Sequence, residues 1–213
     1  VNEVFPVGVP VRWSEPNEQG PALLLQVGEQ AVAVADDITA AVWRTLGGEP
    51  TFRPDGGFGR EELVELVRVR FGGEGSEAEH DAVYGAVDSL VAQEAAAEFD
   101  TSDAEQLLQA AAGLRLRGLG GVIGADPRDA GVYHLGISGV IDLPVTNREL
   151  ELFVRSDSGK SLWSLAEEMS ADRSCFGTRT DVDWTSPQAQ LPFIFFEVRR
   201  MLWHGLALLD LAD

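Results

Sequence analysis

Val32-Ala33-Val34-Ala35-Asp36-Asp37-Ile38-Thr39-Ala40-Ala41-Val42-Trp43-Arg44-Thr45-Leu46-Gly47-Gly48 changes its period halfway. Up to Ala35, valines alternate with alanines, the two-residue repeat of a strand with one face buried. From Asp36 onward Ile38, Val42, Trp43 and Leu46 fall on a single helical face. Asp36-Asp37 offers carboxylates to the free amides of a helix start, as a cap and against the dipole. Gly47-Gly48 ends the helix. The stretch predicts a strand from Gln30 to Ala35 running directly into a helix.

Working outward, Val9-Pro10-Val11-Arg12-Trp13 reads as a short strand, broken by the turn-rich run Ser14 to Gly20. Ala22 to Val27 is a second, nearly all-apolar strand, and Gly28-Glu29 is a tight turn into the third. Three short strands with turns between them predict an antiparallel sheet. Beyond a Pro/Gly-rich loop, Arg60 to Phe71 is a second helix with Leu63, Leu66, Val67 and Phe71 facing in. Ser76 and Glu79 have the spacing of a capping box. They open a third helix with Val83, Val87, Leu90 and Val91 inward, and Ala95 to Phe99 follows as a short strand.

The order of elements recurs. Leu114 to Leu116, Gly131 to Leu135 and Ile137 to Leu143 are strand candidates, with glycine-rich turns from Gly118 to Gly124. Thr146 and Glu149 form another capping box, opening a helix with Leu150, Phe153 and Val154. Ser161 to Met169 is a short helix, and Ser170 to Gln190 is a polar, irregular insert holding Cys175 and Trp184. Pro192 to His204 is an amphipathic helix stopped by Gly205, with Leu206 to Leu211 as a last strand. Overlaying the halves puts Ile38–Trp43 on Val145–Leu150. The expected fold is α+β: two tandem winged-helix-like units, residues 1–100 and 114–213, each a small antiparallel sheet plus three helices. A helical linker, residues 101–113, joins them, and the insert 170–190 belongs to the second unit.

The strand-to-helix stretch from Val32 to Gly48, preceded by its hairpin, resembles the PqqD-like family of RiPP recognition elements over roughly residues 22–99. The resemblance implies a domain that binds the leader segment of a ribosomally made precursor peptide and presents it to a peptide-modifying enzyme. Gly47 stands where the family often has Asp, and the loop from Glu49 to Gly59 is longer than usual. A small open sheet leaves an edge strand with unpaired amides and carbonyls, a template for one more strand. The resemblance puts that edge at Gln30 to Ala35, with Gln30, Val32 and Val34. The opposite wall is the third helix, with Val83, Tyr84, Val87, Asp88 and Val91. Val32, Val34, Val83 and Val87 also read as core, whereas Gln30, Tyr84 and Asp88 read as exposed contacts.

Charge and reactive groups narrow the alternatives. The 213 residues carry 16 basic and 35 acidic side chains, a formal charge of -19. Such a field repels phosphate backbones and anionic lipid, so neither nucleic acid nor a membrane is an expected partner. An acidic leader would be repelled too, unless Arg68 and Arg70 make the groove locally basic or the affinity is apolar and main-chain. Val1 to Pro10 lacks the pattern of a signal peptide, and one cysteine excludes an internal disulfide, so a cytoplasmic location is expected. His80, His134 and His204 have no metal-ligand spacing, and Cys175 has no activating partner nearby. Ser158-Gly159-Lys160-Ser161 lacks the leading glycine of a phosphate loop, since Val154 stands there. Asp172, Asp181 and Asp183 fit no calcium loop. No catalytic residue, metal or cofactor is expected. Two other readings compete: a structural tandem winged-helix partner in a multiprotein complex, and a DNA-binding regulator. The second is disfavoured by Glu77, Glu79, Asp81, Asp88 and Glu94 on the third helix, and by only Arg199 and Arg200 near Glu197 in the second unit.

Overall fold

The hairpin and helix that open the sequence argument form the centre of a longer pattern. The computed structural model describes residues 2–13, 22–47, 58–71, 77–137 and 141–212. Its first half runs β1 (Asn2–Pro6), β2 (Val9–Trp13), β3 (Leu23–Val27), β4 (Gln30–Val34), α1 (Asp37–Leu46), α2 (Arg60–Phe71), α3 (Glu77–Ala92) and β5 (Ala96–Asp100). After α4 (Ala104–Gly113) come β6 (Leu114–Gly118), β7 (Gly121–Ala125), β8 (Val132–Ile137) and β9 (Ile141–Thr146). The chain finishes with α5 (Asn147–Ser156), α6 (Leu162–Ala171), a short 3-10 turn at Arg173–Cys175, α7 (Pro187–Trp203) and β10 (Ala207–Leu211). The described residues thus make a mixed α+β fold with seven helices and small antiparallel sheets. The capping box expected at Ser76, and the inward face of Phe71, lie outside the described residues.

Each half builds the same two sheets. β2-β3-β4 and β7-β8-β9 are three-stranded, while β1 pairs β5 and β6 pairs β10. The sequence reading found neither β1 nor β7. β1 buries Val4 and Phe5 but looks like a leader ending in proline, and β7 reads Gly-Val-Ile-Gly-Ala, the composition of a turn. The strand expected over Ile137 to Leu143 is instead the end of β8 and the start of β9.

The repeat extends to irregularities. The β2–β3 ladder slips between Pro10 and Arg12, and the β7–β8 ladder slips between Val122 and Gly124. Gly8 and Gly120 precede those strands, and a Cβ on either would strike the backbone carbonyl of the facing strand, Gln26 or Gly136, at 2.9 and 3.0 Å. Asp36 accepts from the Thr39 amide at 2.8 Å and Thr146 from the Glu149 amide at 3.3 Å, each capping the helix after its hairpin. The caps set the overlay of the helices, which aligns Ile38 with Arg148 rather than with Val145; the strands before them align Val34 with Val145, because the first half has one extra residue, Ala35, before its cap. Apolar pattern alone had misplaced it, because alanine and valine recur too often to fix a register.

Trp43 ties the helices of the first half to its strands: its indole N–H lies 3.2 Å from the Val7 carbonyl and 3.1 Å from that of Ala95. Across the halves, Phe5 and Phe99 stack at 5.0 Å, and Phe195 of α7 is tilted against both. Phe58 stacks on Trp203 at 5.0 Å, and the Gly8 amide donates to Leu209 O at 2.8 Å. The segment read as a linker is part of this shared core, for α4 buries Leu107 and Ala111 and packs on α6 and α7. Two stripe residues are corrected: Ile38 is 45% and Val154 51% exposed. In α1 the covered residues begin only at Thr39. Trp184 and Cys175 of the supposedly polar insert are buried.

Both halves leave their third helix through a left-handed residue, Gly205 (φ 62°) in one and Glu94 (φ 57°) in the other. An L-residue with a Cβ pays about 1–2 kcal/mol for that conformation, and glycine does not. Glu94→Gly should therefore raise stability by about 1 kcal/mol, read as a shift in the urea midpoint at unchanged slope.

Candidate peptide-binding edge

β4 is the last strand of its sheet among the described residues. Gly28 and Glu29 form the two-residue connection to β3, with Val27 opposite Gln30. Gly28 has φ 55°, which suits the first central position of a type II′ turn. In such a hairpin the pair flanking the loop is hydrogen-bonded and the pattern then alternates. Gln30, Val32 and Val34 therefore bond to β3, and Ala31 and Ala33 turn their N–H and C=O outward. Val32 and Val34 point into the core, whereas the small side chains of Ala31 and Ala33 are exposed. Among the described residues, the outer edge is thus main chain with little side-chain cover.

The matching edge in the second half is closed. Leu135 faces Leu143 as Leu25 faces Val32, which makes Pro144 the counterpart of Ala33. Pro144 has no N–H, its carbonyl accepts from Arg200 Nη2 at 3.2 Å, and the Thr146 amide is taken by Glu149 Oε2 at 2.8 Å. One hairpin offers a pairing edge; its twin has every outward group from Pro144 to Thr146 removed or occupied on the donor side.

The eight residues expected at the site separate. Gln30 is exposed at the start of β4, while Val32, Val34, Val83 and Val87 are buried in the core. Val91 is half-buried against the same core. Tyr84 and Asp88 occupy another face of α3. The Tyr84 hydroxyl donates to Glu61 at 2.7 Å, its ring stacks on His80 at 4.5 Å, and Asp88 pairs with Arg60 at 2.6 Å. Arg60 also clasps Glu98 through Nε and Nη2 at 2.9 and 2.7 Å. These residues border an open cleft of about 860 Å³ lined by Glu3, Glu61, Glu62 and Glu98 around Arg60. The bond to Glu98, opposed by burial and reinforced by Asp88, raises the Arg60 guanidinium further above its ordinary value. The Tyr84 hydroxyl and His80 lower Glu61, whereas burial raises Glu62. Arg68, proposed as a source of local positive charge, is paired with Glu65, and the Arg70 side chain lies outside the described residues.

Two buried charge clusters escaped the sequence reading. Arg148 donates Nε to Glu197 at 2.7 Å and Nη1 to Gln190 and the Cys175 carbonyl at 2.7 and 3.0 Å, and its guanidinium covers the Trp184 ring at 4.8 Å. Burial pushes the Glu197 carboxyl up to about 7 against the pull of Arg148. Arg148 Nη2 and Glu197 Oε2 have no hydrogen-bond partner among the described residues. The only sequence hint was one arginine at a position whose twin, Ile38, is apolar. The second cluster centres on Asp210, 1% exposed, which accepts from the amides of Gly28 and Leu211 at 2.8 and 3.0 Å. Arg115 and Arg117 donate to its other oxygen at 3.1 and 3.4 Å. Burial alone would raise that carboxyl, but the Gly28 amide and Arg115 outweigh it and leave it below its usual value. A lone aspartate inside Ala-Leu-Leu-Asp-Leu was the signal.

Arg199 and Arg200, weighed as DNA contacts, are taken by Glu3 and Glu149. Among the described residues no group of three His, Cys, Asp or Glu side chains is placed to hold a metal, and no helix is long and apolar enough to cross a membrane. No family model, curated protein or solved structure matches the chain.

The division into core and surface has a direct consequence. Val34→Ala and Val87→Ala should each cost about 2 kcal/mol in urea unfolding. Tyr84→Phe, which removes one exposed bond, should stay within about 0.5 kcal/mol.

Proposed function

We propose that this protein binds an extended peptide as a fourth strand on β4, and that the peptide is the leader segment of a ribosomally made precursor presented to a modifying enzyme. The observation that carries strand addition is the contrast between the two hairpins, open at Ala33 and closed at Pro144. Unmet edges invite pairing, and proteins that do not use them block them with proline or charge. Here one edge is blocked in that way and the other is left bare. The leader-peptide reading adds the resemblance of residues 22–99 to PqqD-like recognition elements. The order of a three-stranded sheet followed by three helices agrees with a winged-helix-like unit in each half.

Recognition through main chain suits this surface. Each outward N–H and C=O gains a bond of about 0.5–1.5 kcal/mol net, and the small Ala31 and Ala33 leave room for bulky side chains on the incoming strand. The flanks carry Glu29 at one end and Asp36 and Asp37 at the other, so a carboxylate beside either end is disfavoured. An acidic leader would therefore be held through an uncharged stretch. A second reading, a structural partner in a complex, draws support from exposed Leu119, Val122 and Ile123 around β7. The DNA-binding reading finds no such support, since Arg199 and Arg200 are spent on internal carboxylates.

Proline at Ala33 removes one outward amide without touching the ladder to β3, and Pro144 demonstrates that the twin position accepts it. Val34→Pro is a poorer choice because the Val34 amide belongs to that ladder. In a fluorescence-anisotropy titration with a labelled leader segment from a neighbouring precursor gene, Ala33→Pro should weaken binding about tenfold or more, with circular dichroism unchanged. Ala33→Ser should bind as the parent does. Equal binding by a folded Ala33→Pro variant would sink strand addition at β4.

A further inference from the structure

We propose that the second repeat acts as a clamp for the binding edge of the first, with Asp210 of β10 as a positioning residue that fixes the Gly28–Glu29 turn through the Gly28 amide. The inference rests on the peptide-binding reading of β4 and concerns what holds that strand in place.

The argument begins with the turn. In a two-residue hairpin loop, the N–H and C=O of the first central residue point away from the ladder. Both groups of Gly28 are met from outside the turn backbone. Gln26 Nε2 donates to the Gly28 carbonyl at 2.9 Å, and Asp210 Oδ1 accepts from the Gly28 amide at 2.8 Å. The first partner is local; the second comes from the last strand of the other repeat. Leu211 adds apolar contact, its side chain lying 3.7 Å from where a Gly28 Cβ would stand.

The repeat gives the comparison that makes Asp210 unusual. β5 and β10 pair with their partners in the same register, so Phe99 opposite Glu3 occupies the place of Asp210 opposite Arg115. Phe99 fills the aromatic core of the first half. Asp210 is as well buried, and a buried carboxylate is costly unless its lone pairs are met. They are met by two amides and two guanidiniums, and one of those amides belongs to the hairpin that carries β4. The second half has closed its own pairing edge at Pro144 and placed its one buried strand carboxylate against the open hairpin.

A turn fixed at Gly28 holds Gln30 to Val34 at a set angle and limits fraying of the strand start. Ala31 and Ala33 then present their outward groups already ordered, which lowers the entropy lost when a peptide pairs with them.

Asp210→Ala alone would also remove a carboxylate partner from the part-buried Arg115, so the comparison is made in an Arg115→Leu background, where the half-exposed Arg117 can turn to solvent. Arg115→Leu is compared with Arg115→Leu/Asp210→Ala and Arg115→Leu/Asp210→Asn. The readouts are amide hydrogen exchange in the free protein and affinity for the same labelled leader segment. Loss of the acceptor in the alanine variant should speed exchange at Gly28 and Gln30 about tenfold and weaken leader binding by about the same factor. The asparagine variant retains an acceptor oxygen and should recover both. A residue that merely contributed stability would lower the unfolding midpoint in both variants without this recovery. Unchanged exchange at Gly28 and unchanged affinity in the folded alanine variant would overturn the clamp. If the parent binds no leader while exchange still follows the acceptor, the clamp stands and the peptide reading falls.

Discussion

A two-stranded sheet leaves as many main-chain groups unmet as it satisfies and a three-stranded sheet half as many, and the architecture is governed by where those groups go. Two-stranded pairs are marginal on their own, and each here is held by helices: Trp43 bonds the carbonyls at the ends of β1 and β5. The β6–β10 pair is held likewise between α5, α6 and α7. β10 then reaches out of its own half, taking the Gly8 amide at Leu209 and the Gly28 amide at Asp210. The four small sheets are stable as one body because the last strand of the chain meets amides at the start of it.

The two halves share their backbone plan and differ in what they bury. The first fills its centre with Phe5, Phe99, Trp43 and valines. The second places charge there: Asp210 where its twin is Phe99, and Arg148 where its twin is the exposed Ile38. Charged clusters of this kind add little net stability over an apolar core, since desolvation opposes the pairing. They do add direction. Arg148 holds the segment around Cys175 and Trp184 against α5 and α7, and Asp210 orients a turn in the other half. The second repeat thus has the features of a scaffold: its edge is closed from Pro144 to Thr146, and its buried charged groups are bonded to neighbouring segments.

How much of this was legible in the sequence follows from how local each signal is. The cap at Asp36 and the capping box at Thr146 were readable because a cap needs only three or four residues to declare itself, and the helix at Arg60–Phe71 because its apolar stripe is local too. The hairpin at Gly28-Glu29 was readable for the same reason. β1 and β7 were not, since their identity as strands depends on partners about a hundred residues away or on a bulge that exposes Ile123. Of the expected groove, only the strand at its edge can be traced to a local signal. The edge at β4 follows from the hairpin, but the facing wall does not, because a helix stripe does not say which neighbour it meets. Val83 and Val87 went to the core, and Tyr84 and Asp88 to Arg60 and Glu61. Ala33, the residue best placed to matter, drew no attention because alanine has no chemistry of its own; only its main chain and the proline at its twin mark it.

The charge of the chain acquires a more local meaning from the same geometry. A formal charge of -19 spread over the surface would repel any acidic partner at low salt. The pairs Glu3–Arg199, Glu149–Arg200, Glu197–Arg148, Asp210–Arg115 and Glu98–Arg60 each cancel within themselves and leave that excess to other carboxylates. Among the described residues, Glu29 and the Asp36-Asp37 pair flank β4 at its two ends, with uncharged Gln30, Ala31, Ala33 and Ala35 exposed between them. Repulsion then acts on the ends of an incoming segment and not on its middle, where the main-chain bonds form. Under the proposed strand addition, the surface selects for an uncharged central stretch, and discrimination among peptides comes from where their charges fall along the strand rather than from how many they carry.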